Sequence, residues 1–199
     1  MPKYLAKYSY IFCFLLVLSC GGGGTDSYVP KPKSYPKIEL PSKQYNTVEK
    51  SDLPLVFEIP QYAFLAADSN NGVHTPGWYN VNFPQFDATL FLTYYPFNEW
   101  DLFDSLLYDT RKLVNKHIQK ADDILERPTQ SINPLAKGLI YDIQGNTATN
   151  VNFYVTDSVG HFLRGALYFN NHTESDSVAP VLKFIEQDVY HLIKTIRWK

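Results

Sequence analysis

The chain has 199 residues, 45% hydrophobic and 16% aromatic, with 18 basic against 20 acidic side chains and two cysteines. That length suits a domain with a sizeable core, and 28 Phe and Tyr beside only 19% charged residues exclude wholesale disorder. A net charge of −2 argues against a nucleic-acid partner, and two cysteines exclude a disulfide-rich scaffold.

Residues 1–19 read as a lipoprotein signal peptide. Lys3 and Lys7 supply the positive start, and Tyr8 to Leu18 is an unbroken apolar run of eleven residues. A spanning helix needs ~20, so the run has signal length. It ends in Val17-Leu18-Ser19-Cys20, which resembles the bacterial lipobox, so Cys20 is the expected lipidation site. Four glycines at 21–24 argue against a core helix passing through the cysteine. Processing leaves 16 basic against 20 acidic side chains, a net of −4. With Cys13 removed and Cys20 acylated by palmitate-like chains, no thiol remains for a disulfide, a thiolate nucleophile or a soft metal. Two or more acyl chains make such anchoring stable.

Residues 20–52 read as a lipidated Gly/Pro-rich tether. GGGGTDS is flexible, and Pro30, Pro32, Pro36 and Pro41 favour extended backbone. It serves either as a solvated spacer or as a docking peptide anchored by Tyr28, Tyr35 and Ile38.

Residues 53–199 form the expected single domain. LPLVFEIP and YAFLAAD suggest strands, with Pro60 marking an edge or bulge. A polar loop over Asp68 to Gly77 follows, then the aromatic strands WYNVNFP and ATLFLTYYP. Threes-and-fours spacing from Leu102 to Leu125 predicts a helix over Asp101 to Glu126, with Lys112, Lys116 and Lys120 on its solvated side. GLIYDI, TNVNFYVT and HFLRGALYF give three strands joined by turn residues at Gln144-Gly145-Asn146 and Asp157 to Gly160. The stripe Val181, Ile185, Val189, Leu192 and Ile196 predicts a last helix over Val178 to Arg197, capped by Asp176 or Ser177, with Pro180 in its first turn. The expected fold is α+β: an antiparallel sheet of about five to six strands with two long helices.

Alternation places Val151, Phe153 and Val155 on one sheet face and Asn152, Tyr154 and Thr156 on the other. In the next strand Arg164 and Tyr168 oppose Leu163 and Leu167. Tyr and Arg dominate interface hot spots, so Arg164, Tyr154, Tyr168, Asn152 and Asp142 are the candidate partner-binding residues. The alternative is a structural bridge from Arg164 to Asp142 or Asp157.

The block FYVTDSVGHFLRGALYFN at Phe153 to Asn170 resembles the GldD family of gliding-motility lipoproteins of the Bacteroidota. YVPKPKSYPKIELP, KHIQKAD, YDIQGNTA and the terminal Trp198-Lys199 match in order along the chain. The resemblance implies a cell-envelope lipoprotein required for gliding and for type IX secretion, with no catalytic residues to carry over and Cys20 as the acylation site. The element order is also similar to the PsbP/Mog1-like sandwich. Asp104-Ser105-Leu106, Asp157-Ser158-Val159 and Asp176-Ser177-Val178 resemble the Asp-Ser/Thr-apolar acceptor of Bacteroidota O-glycans, which makes Ser105, Ser158 and Ser177 candidate modification sites.

No catalytic spacing stands out: the five histidines are scattered, and there is no HExxH, nucleophile elbow or phosphate loop. Neither cofactor nor metal is expected, and no enzymatic activity. Two readings follow. One is a non-catalytic assembly or stabilising component that binds other envelope proteins. The other is a periplasmic small-ligand-binding module or weak hydrolase, with a pocket between the aromatic strands and the Ala67–Gly77 segment. The expected location is the periplasmic face of the outer membrane, with the inner membrane second.

Overall fold

The computed structural model describes residues 38–70, 73–145, 147–170 and 175–199. The signal segment, Cys20 and the tether as far as residue 37 lie outside the described residues. The elements run β1 (Tyr45–Lys50), β2 (Leu53–Pro60), β3 (Phe64–Asn70), β4 (Val73–Phe83), β5 (Ala88–Pro96), α1 (Trp100–Asn115), β6 (Ala121–Pro128), β7 (Lys137–Gly145), β8 (Thr149–Thr156), β9 (His161–Phe169), α2 (Ser175–Thr195) and β10 (Arg197–Trp198). This is an α+β fold with two antiparallel sheets, ordered β3-β4-β5-β9-β8-β7-β6 and β1-β2-β10.

The main core lies between one face of the seven-stranded sheet and a layer made of α2 and the three-stranded sheet. Leu53, Leu55, Phe57 and Ile59, every second residue of β2, meet Val81 and Phe83 of β4, Leu90 and Leu92 of β5 and the α2 stripe Val181, Ile185, Val189 and Leu192. Burying each such side chain contributes roughly 1.5–3 kcal/mol, so the periodicities that predicted the strands and the helix are the ones the core uses. Phe153 of β8 lies across from Gly165 of β9, and its ring occupies the space a Gly165 side chain would need.

On the opposite face α1 covers only part of the sheet. Val114 packs on Tyr141 and Ile143 of β7, with Ile124, Leu139 and Tyr154 around them. Phe103 reaches Phe162 of β9 edge-on at 6.3 Å and lies 5.0 Å from the Phe97 ring. The β3–β5 half of that face has no helix above it among the described residues.

Several expectations change. The long helix ends at Asn115, and Ala121–Pro128 is instead the edge strand β6, paired with β7. A bulge between Ala121 and Asp123 explains the false helical signal. The extra residue puts Ala121 and Ile124, three apart, against the same small core, which mimics helical spacing. The polar loop at Asp68 to Gly77 is taken up by a hairpin: β3 extends to Asn70 and β4 resumes at Val73, with the hairpin-favouring pair Asn71-Gly72 between them. Helix α2 begins three residues earlier than expected, which puts Pro180 in its second turn. Among the described residues ten strands are present, seven of them in the larger sheet where about five to six were expected; β1, β6 and β10 add to the seven segments that the sequence suggested as strands.

The tether boundary also moves. Tyr45–Lys50 is not leash but a strand, antiparallel to β2 from Tyr45↔Pro60 to Lys50↔Leu53. Asp188 of α2, 2% exposed, fastens this segment. It accepts hydrogen bonds from Lys43 Nζ (2.5 Å), Tyr45 OH (2.8 Å) and Tyr62 OH. Lys43 Nζ also donates to the Phe184 carbonyl at 2.8 Å and lies 3.8 Å from the Phe184 ring centroid. Tyr45 stacks on His191 at 3.5 Å. Burial, and then the Asp188 carboxylate, push the Tyr45 and Tyr62 hydroxyls above the usual tyrosine range, so both remain donors.

Candidate docking face

The uncovered half-sheet is built from alternate residues of β4, β5 and β9. Register sets them in rows: Trp78, Thr93 and Arg164 in one, Asn80, Phe91 and Ala166 in the next, Asn82, Thr89 and Tyr168 in a third. Residues between them along each strand point into the main core, so the pleat commits this set to the outer face. Trp78 and Phe91 are each 40% exposed. The rings of Phe91 and Tyr168 meet edge to face at 5.5 Å.

A shallow groove of about 570 Å³ runs over this face. Its floor includes the small residues Thr93 and Ala166, and Trp78, Phe91, Tyr95 and Tyr168 give it aromatic walls. Arg164 lines it and also lines a second cleft of about 270 Å³ beneath α1, bordered by Asp109, Lys112 and Lys116. Arg164 is half-buried, and burial pulls its guanidinium below the usual arginine value, against the opposing pull of Tyr168 and Tyr95. Among the described residues it has neither an ion pair nor a hydrogen bond.

The structural-bridge alternative for Arg164 is therefore wrong. Asp142 belongs to Arg127, with Glu186 3.7 Å from the same guanidinium and Tyr190 OH donating to both acids. Asp157 spends one oxygen on the backbone N–H groups of Val159, Gly160 and His161 at 2.8–2.9 Å.

The five candidate partner-binding residues separate. Arg164 and Tyr168 share the groove. Tyr154 is on the same face but lies in the small core beneath α1, stacked on Phe162 at 5.5 Å. Asn152 is buried and donates to Thr149 Oγ1 at 3.3 Å. Asp142 is on the other face, where it meets Tyr190 of α2, so it cannot join Arg164. Trp78, Phe91 and Tyr95, which complete the groove, were missed. Their signal was available in the period-two sets Trp78-Asn80-Asn82 and Phe91-Thr93-Tyr95.

Of the candidate modification sites, Ser105 is exposed on α1. Ser158 is half-buried in the β8–β9 turn with φ +65°. Ser177 falls in the first turn of α2 rather than at its cap, and its side chain lies outside the described residues. Burial alone would raise the Asp157 carboxyl beside Ser158, but the three N–H bonds hold it below the usual aspartate range. A depressed folded pKa gives stability that is present above the unfolded value of ~3.9 and lost as pH falls through the folded one. Asp157→Asn is accordingly expected to be less stable than the parent at pH 7, with the gap closing below about pH 4. Urea unfolding from pH 7 down to pH 3 checks this.

Among the described residues no three metal-ligating side chains converge, and no helix is long and apolar enough to cross a membrane. The family model for the gliding motility lipoprotein GldD matches residues 25–198. No curated protein sequence matches the chain. Among solved structures the chain is similar to cyanobacterial PsbP (CyanoP) from Synechocystis, at 12% identity and a TM-score of 0.45, covering 84% of this chain and 98% of that one.

Proposed function

The chain belongs to the gliding motility lipoprotein GldD family, and on that premise we propose that it is a non-catalytic assembly or stabilising subunit of the gliding and type IX secretion machinery. Acylated Cys20 holds it at the periplasmic face of the outer membrane, and the open half-sheet docks it on another envelope protein. One observation carries this reading: a half-buried Arg164 that has no counter-ion among the described residues, set among the aromatic side chains of a sheet face on which Trp78 and Phe91 are exposed. Trp, Tyr and Arg in a partly desolvated patch are the composition of interface hot spots.

The groove volume favours a second reading, a small-ligand-binding module, since about 570 Å³ falls in the range of ligand pockets. The weak-hydrolase form has less support. The described lining carries no Ser, Cys or His, and Asp68 is its one carboxylate.

A photo-crosslinking residue at Phe91 in the lipidated protein, expressed in its own cells, separates the two. The docking reading expects a crosslink to a gliding or secretion envelope component from position 91 and none from Gln187, exposed on α2. No protein crosslink from position 91, or equal yields from both, would overturn it.

A further inference from the structure

The docking face is specific about what it will accept, and the inference that follows rests on the docking reading above. Arg164 offers a planar fork of donors in a partly desolvated site, the geometry that selects carboxylate or phosphate. Lys112 and Lys116 sit one helical turn apart over the adjoining cleft, which extends the positive potential beyond Arg164; Asp109, one turn before Lys112, borders the same cleft. The far side of the groove is different. Asp68 lines it and accepts from Asn80 Nδ2 at 3.3 Å, while Asn80 Oδ1 is buried with no hydrogen-bond partner. That side needs donors and repels anions. A phosphate supplies acceptors only. A polypeptide supplies a carboxylate at one point and backbone N–H groups a few ångströms on, with apolar side chains for the Trp78 and Phe91 walls.

We propose that the groove is the receptor for an acidic segment of a partner protein, with a carboxylate seated on Arg164, flanking acids toward Lys112 and Lys116, and neighbouring apolar side chains between Trp78, Phe91 and Tyr168. Neither the aromatic walls nor the single acid Asp68 suits a polyanion, so charge complementarity selects a short run of alternating acidic and apolar residues. The pleated floor of Thr93 and Ala166 leaves room for the peptide chain.

The test uses the mature lipidated protein in lipid nanodiscs and a fluorescein-labelled, end-blocked hexapeptide alternating leucine and glutamate, followed by anisotropy. Saturable binding is expected. It should weaken at least tenfold when glutamine replaces glutamate in the peptide, or in Arg164→Gln, and Arg164→Lys should retain part of it. Ala148 is exposed at the rim of the groove, where a substitution leaves folding untouched. Ala148→Glu should weaken binding and Ala148→Lys should strengthen it, so the outcome survives any folding defect at Arg164. Equal binding of the two peptides, indifference to charge at position 148, or displacement by inorganic phosphate as effective as that by unlabelled peptide would overturn the proposal. The last result would point to a phosphorylated lipid or free phosphate. The position-91 crosslink, repeated in Arg164→Gln, keeps the two levels apart. A crosslink that persists at full yield leaves docking intact and removes the carboxylate, whereas its absence from the parent protein removes docking itself.

Discussion

Asp188→Ala is expected to destabilise the domain by about 3 kcal/mol, a fall in Tm of roughly 6–12 °C for a domain of this size. The carboxylate is 2% exposed and receives Lys43 and Tyr45 from the segment that opens β1 and Tyr62 from the β2–β3 connection. Deleting it strands one ammonium and two phenol groups. Lys43 keeps a 22% exposed side chain, so water partly rescues the ammonium, which places the loss at the lower end for a broken buried pair. The same argument predicts that Lys43→Met combined with Asp188→Leu recovers only part of the loss, because the apolar pair removes the stranded ammonium while the Tyr45 and Tyr62 hydroxyls still lack their acceptor. Thermal unfolding of the single and double variants measures both. A single variant within about 2 °C of the parent would show that the cluster adds little to stability.

Gly165→Ala should cost a similar amount, about 3 kcal/mol, for the opposite reason: too much matter rather than too little charge. A methyl at 165 collides with Cε1 and Cζ of Phe153, a fully buried ring facing it across β8 and β9. The ring cannot retreat, because Val151, Val155 and Leu167 belong to the same packed core. The ring lies over the bare backbone of the glycine, so the two positions are one packing unit. Phe153→Ala alone leaves a cavity, and the double variant should be more stable than the sum of the two single losses by roughly 1 kcal/mol or more. Additive losses in a double-mutant cycle would separate the two residues energetically.

These positions show what was legible in the sequence. Strict alternation through β2, β8 and β9, and the stripe of α2, specify a sheet with one buried face, because burial is periodic wherever an element has a wet side and a dry one. What escaped was set by long-range pairing. β1 has only Tyr45 and Val48 half-buried, so it presents no apolar pattern; its place comes from the β2 ladder and from Asp188, more than 140 positions later. β6 was masked by its bulge. At the site, alternation put Arg164 and Tyr168 on the outer face, but parity within one strand does not align parity between strands. Asp142 was grouped with Arg164 although the β7–β8–β9 register, Asp142↔Val151↔Leu167, carries it to the α2 side. That no acid pairs with Arg164 among the described residues, the feature that gives the groove its character, depends on where Arg127 and the Asp157 turn lie, since these take up Asp142 and Asp157.

The clasp on Asp188 has a mechanical consequence. β1 forms a hairpin with β2 whose open end is at Tyr45↔Pro60, the end nearest the upstream chain. A pull on that chain would act on this open end and peel the ladder one hydrogen bond at a time, the weakest way to load a strand pair. Lys43 and Tyr45 stand at that end, fixed to a helix rather than to the hairpin. Tension arriving from a membrane anchor therefore meets α2 and the main core before it reaches β1, and the domain is loaded as one body instead of being unzipped from its edge.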